Sequence, residues 1–147
     1  MLLEVSSNGG YLAIAIMTYN NNCIPIDFLI DSGADITCFS AKILDYNLSE
    51  ELCDSLSYDT VYKNGIVEDK LVPKIKFYKI PVNNFQIGDS IHMGNQYVYV
   101  TFDDRFSTSL LGRDILNQLY SYHTVETQKL YLSTSHDEIM SDVQNNK

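Results

Sequence analysis

Asp31 is followed at once by Ser32, Gly33, Ala34 and Asp35, and the apolar run Phe28-Leu29-Ile30 leads into it. With Ile24 and Ile26 upstream, the segment reads as a buried strand that delivers a carboxylate to a tight turn. Gly33 permits backbone angles closed to other residues and leaves room for a second chain, and the Ser32 hydroxyl can hydrogen-bond to a neighbouring group. This is a way to present an acid at the floor of a cleft. Asp, Ser and Gly also dominate ordinary turns, so the same residues are compatible with an Asp31 that only caps the turn.

A second motif lies downstream at Leu110-Leu111-Gly112-Arg113-Asp114-Ile115-Leu116, where a Gly-Arg-Asp step enters an apolar helix. Alone it reads as a helix start, with Asp114 favouring the dipole and Arg113 on the surface. In this order and separation, the two motifs together resemble those of the retropepsin-like aspartic proteases, the single-domain peptidases of retroviruses and their cellular relatives. The resemblance covers residues 10 to 132. Because the chain starts at Met1, it is more similar to a free-standing cellular or bacterial-type relative than to a viral one.

An aspartic protease needs two carboxylates sharing a proton, one acting as base on a water and the other as acid on the scissile carbonyl. Only one Asp-Ser-Gly is present. The resemblance therefore implies a homodimer with one Asp31 from each copy, and a mainly β fold: a closed acid-protease β-barrel with one short C-terminal helix. It implies that Asp31 is catalytic, that Ser32, Gly33 and Ala34 form the active-site turn, and that Asp35 and Arg113 pair to brace it. Residues Asn64, Gly65 and Ile66 fall where the family has its flap, a hairpin that closes over an extended peptide. The implied activity is an aspartic endopeptidase; the alternatives are a catalytically silent module of the same fold that dimerises or binds peptide, and an unrelated β-barrel binding domain.

The elements that must position these residues follow from the rest of the pattern. Residues 1 to 6 suit a short strand, Asn8-Gly9-Gly10 a turn, and Tyr11 to Met17 a second strand. Thr18 to Asn22 turns the chain back into the strand that ends at Asp31, and Ile36 to Phe39 is a short strand after it. Between 40 and 57 the apolar spacing becomes helical, with Asn47 or Ser49 as cap and Glu50 and Glu51 in the first turn. Asn64-Gly65 is a strong two-residue hairpin signal between Thr60-Val61-Tyr62-Lys63 and Ile66-Val67-Glu68. Residues 73 to 80, 85 to 89 and 97 to 102 read as further strands, Ile115, Leu116 and Leu119 as the stripe of one short helix, and Thr127 to Leu132 as the last strand. Residues 1–132 thus form the domain, and 133–147, polar and without periodicity, read as a flexible tail with a helical turn at Ile139 and Met140.

The chain of 147 residues is long enough for one core, and eleven Tyr and six Phe lean it toward β-structure. A net charge of −9 repels a phosphate backbone, which argues against a nucleic-acid partner. Cys23, Cys38 and Cys53 form neither a disulfide framework nor a zinc pattern, and His92, His123 and His136 suggest no ligand set. No metal or cofactor is expected. Without a basic leader or a long apolar run, the expectation is a soluble cytoplasmic protein with no membrane insertion, whose partners are a second copy of itself and a peptide or protein substrate.

Overall fold

The structure, a computed structural model, describes residues 1–4, 10–67, 69–124 and 126–145 and is mainly β. Strands β2 (Leu12–Tyr19) and β3 (Asn22–Ile30) form an antiparallel hairpin whose turn places Asn20 and Asn21 at φ 50° and 64°. Asparagine tolerates this left-handed backbone, and a two-residue turn of this kind matches the strand twist. On β2 the small Ala13 and Ala15 point inward with Met17 and Tyr19, while Leu12, Ile14 and Ile16 face outward. On β3 the inward row is Ile24, Ile26 and Phe28. Pro25 pairs only with β2, on the side where its missing N–H costs no ladder bond.

Strand β4 (Cys38–Ser40) follows the Asp31 turn but does not lie beside β3. Strand β8 (Leu110–Leu111) runs between them, parallel to β3 and antiparallel to β4. A 3-10 stretch (Ala41–Asn47) and helix α1 (Glu50–Ser55) come next. Ser49 caps α1 by accepting the Leu52 N–H at 3.1 Å, with Glu50 and Glu51 in the first turn, where the dipole favours acids. Strands β5 (Thr60–Val67), β6 (Lys70–Ile87) and β7 (Ile91–Thr101) form a meander, and the sheet runs β2-β3-β8-β4-β7-β6-β5. The long β6 also pairs with β2.

A second sheet holds the ends of the chain, with β1 (Leu2–Glu4), β10 (Lys129–Ser133) and β9 (Tyr120–Thr124) in the order β1-β10-β9. Phe28, Phe39, Ile80, Phe85, Val98 and Leu111 lie at the centre of the main core. Helix α2 (Arg113–Leu116) is the short helix after the Gly-Arg-Asp step and buries Ile115.

Two expectations need correction. Asn64-Gly65 is not the turn of the β5–β6 hairpin: β5 runs straight through it, and the chain reverses beyond Val67, with Asp69 at φ 62°. Glu68 and the expected turn at Asn8-Gly9 lie outside the described residues. Cross-strand contacts explain both residues instead. Asn64 Oδ1 accepts the Lys74 N–H at 3.2 Å where the register slips, and a Cβ on Gly65 would stand 2.9 Å from Ile75 Cδ1. Where a flexible tail with a single helical turn is expected over 133–147, the chain forms a helix, α3 (His136–Asn145). Ser135 accepts the Glu138 N–H at 3.3 Å, and Ile139 and Val143, one turn apart, bury against Tyr131 and Leu2.

Candidate active site

The turn that carries Asp31 is built from backbone outward. Leu29 N donates to Ser109 O, Ile30 N to Tyr11 O, and Asp31 N to Leu111 O at 3.0 Å, so the end of β3 is pinned from both sides. Asp31 Oδ1 then accepts the Gly33 N–H at 2.9 Å and the Asp31 carbonyl accepts the Ala34 N–H at 3.1 Å. This closes a tight turn on the acid itself. Oδ2 has no hydrogen-bond partner among the described residues, and the side chain is half-buried.

The Gly-Arg-Asp step locks this turn from behind. Arg113 N donates to Ala34 O at 2.8 Å, and Arg113 Nη1 to Ser32 O at 3.1 Å. A Cβ on Gly112 would collide with the Ile36 carbonyl and stand 2.9 Å from Ala34 O, so only glycine allows the two backbones to meet this closely. Thr37 is fully buried between them. Its hydroxyl accepts the Gly112 N–H at 3.0 Å and donates to Asp114 Oδ1 at 2.6 Å, while its own N–H donates to Asp114 Oδ2 at 3.1 Å. Asp114 also takes the Ile115 N–H, so one carboxylate in the first turn of α2 satisfies a helix N–H and holds the strand that follows Asp31.

A cleft of about 480 Å³ opens over the turn. Asp31, Gly33, Ala34 and Asp35 line its floor side, and Lys63, Asn64, Gly65 and Ile66 of β5 line the hairpin side. Its apolar wall is Ile36, Cys38, Phe77, Phe106 and Leu110, part of a separate small core. Burial pushes the Cys38 thiol up to about 12, with Asp114, Asp31 and Asp35 adding to the effect, so it is a neutral packing group and not a nucleophile. Ser32 and Arg113 face a different cleft, about 530 Å³, on the other side of the turn, with Tyr11, His123, Leu116 and Leu130.

The expected Asp35–Arg113 ion pair is not formed. The two side chains lie in different clefts, and Asp35 Oδ2 instead takes Lys63 Nζ at 2.6 Å. Lys63, Thr37 and the Asp114 clamp are contributions that reading the sequence missed. Among the described residues, no group of three His, Cys, Asp or Glu side chains could hold a metal ion, and no helix is long and apolar enough to cross a membrane.

Compared with solved structures, the chain matches a retropepsin-like aspartic protease from Rickettsia conorii with a TM-score of 0.55 over 90% of its own length and 91% of the other chain. The fold is retropepsin-like. Sequence identity is 20%. No protein-family model matches the chain, and no curated protein does.

Proposed function

We propose that this chain is an aspartic endopeptidase that works as a homodimer and cuts extended polypeptides in the cytoplasm. The observation that carries the reading is Asp31: a half-buried carboxylate with one oxygen unpartnered among the described residues, in an open cleft, on a turn immobilised by the Gly112–Asp114 segment. Such rigidity is what general acid–base catalysis asks of its acid. The match to a retropepsin-like aspartic protease supports the same chemistry.

One chain supplies one such acid, so a second copy brings the other across a two-fold axis. Like charge at close range lets the two carboxylates share one proton, and the titration belongs to the pair. The ionised member takes a proton from water, which attacks the scissile carbonyl carbon. The protonated member gives its proton to the carbonyl oxygen. Collapse of the tetrahedral intermediate breaks the C–N bond as the amine gains a proton.

In this reading Ser32 bonds across the axis, Gly33 meets the substrate backbone, and Ala34 leaves room beside it. Arg113 braces the turn through the Ser32 carbonyl, and Asn64, Gly65 and Ile66 form the flap's cleft-lining side, with its tip further on near Asp69. The pairing of β2 with β6 supports a closed barrel.

The test is cleavage of an unbiased peptide library from pH 4 to 8 by the purified chain and its Asp31→Asn variant, with mass measured in solution. A dimer whose cuts vanish in Asp31→Asn is the expected result. A dimer that cuts nothing transfers the reading to a silent peptide-binding module, and a strict monomer removes the second carboxylate.

A further inference from the structure

Lys63 stands on the unexpected face of its strand. Along β5 the half-buried residues are Val61, Lys63, Gly65 and Val67, alternating with exposed Tyr62, Asn64 and Ile66. Val61 and Val67 pack on the small core of Cys38, Ile75, Phe77 and Phe106, so Lys63 shares an inward row with valines. Its side chain is 37% exposed, so the ammonium gives up part of its hydration there, a cost that an ion pair offsets. Its partner is Asp35, four residues after Asp31 on the turn, and the two meet at 2.6 Å, both lining the cleft. Lys63 is the one cation among the described residues that line it.

We propose that Lys63 and Asp35 form a strap that ties the β5–β6 hairpin down onto the Asp31 turn and sets how wide the cleft opens. They are positioning residues. The consequence for substrate rests on the peptidase reading above; the strap itself does not. β5 is the edge of its sheet, and an inward lysine can also serve simply to keep an edge from pairing with other chains. That role needs no Asp35.

The strap responds to acid and to salt. The hydrogen bond from Lys63 is the main reason the Asp35 carboxyl lies below its usual range; burial opposes it, and Arg113 adds the smallest contribution. Asp31 is the other charged group of the same cleft. With a depressed folded value, Asp35 contributes fully above the ordinary carboxylate range and loses its contribution as pH falls through that lower value. Acid therefore frees the hairpin. Because the pair is partly exposed, salt weakens it as well.

The test uses the full chain in an Asp31→Asn background, where no cleavage interferes, and reads hydrogen-exchange protection over 60–67 and 70–75. At neutral pH and low salt, Lys63→Met and Asp35→Asn each lower protection roughly two- to five-fold. The charge-swapped Lys63→Asp/Asp35→Lys chain recovers it, and the difference closes in acid. Unchanged protection in Asp35→Asn overturns the strap, even if Lys63→Met loses protection, because that pattern belongs to edge protection alone. A swapped chain as open as the single variants overturns it too. On the Asp31 chain, the single variants shift KM more than kcat. A chain that cuts nothing overturns the peptidase reading while the exchange result still decides the strap.

Discussion

Thr37 carries more of the candidate site than its residue type suggests. It satisfies Gly112 N and both Asp114 oxygens, and its carbonyl accepts the Tyr99 N–H at 2.9 Å, tying the Asp31 turn to β7 as well. Thr37→Val keeps the shape and removes the hydroxyl, leaving a buried N–H and a carboxylate oxygen short of partners. Denaturant unfolding should show a loss of about 3 kcal/mol, the range for buried hydrogen bonds to charged groups. Thr37→Ser, which retains the hydroxyl, should lose much less; equal losses would mean that methyl packing, not hydrogen bonding, is the cause. At this scale the Asp-Ser-Gly turn was legible in the sequence because its residue types are local and chemically specific. The Thr37–Asp114 clamp was not, since a threonine and an aspartate 77 positions apart leave no pattern in either stretch.

Among the elements, α3 is the clearest departure from expectation. Its polarity reads as a solvated tail, yet a stripe of only Ile139 and Val143 suffices because Tyr131 and Leu2 offer a ready surface. A capping pair, Ser135 and Glu138, stood in the sequence as the signal that could have found it. Ile139→Ala should lower stability by about 2 kcal/mol, at the low end for a buried aliphatic because the cluster is small. Thermal melting checks this, and an unchanged midpoint would return 136–145 to the status of a tail. The β5–β6 hairpin was legible as a pair of strands, but its turn was not. Asn-Gly serves a two-residue turn and a slipped register equally well, and only the contacts with Lys74 and Ile75 distinguish them. On β2 the facing could not be read because both rows are apolar; the crowded interior selects Ala13 and Ala15 and leaves the bulkier Ile14 and Ile16 outside.

For the whole molecule, charge and assembly act together. Each copy carries −9, so two copies repel over distances that salt screens. The proposed dimer should therefore tighten between low and moderate salt in sedimentation experiments, and cleavage per chain should fall on dilution as copies separate. Activity proportional to concentration down to the lowest dilution, with a monomeric sedimentation coefficient, would contradict a shared site. The path of β8 bears on something else, the order of events as the chain folds. β3 and β4 are joined by a seven-residue turn, 31–37, yet their gap is filled by a strand that arrives only at Leu110. Closing so long a loop costs chain entropy before any contact repays it, which slows folding. During synthesis the acid-bearing turn must wait for the last quarter of the polypeptide to emerge. Until then the groups that hold the turn from behind, the Leu111 carbonyl and Arg113, are missing, and Asp31 lacks that part of its support.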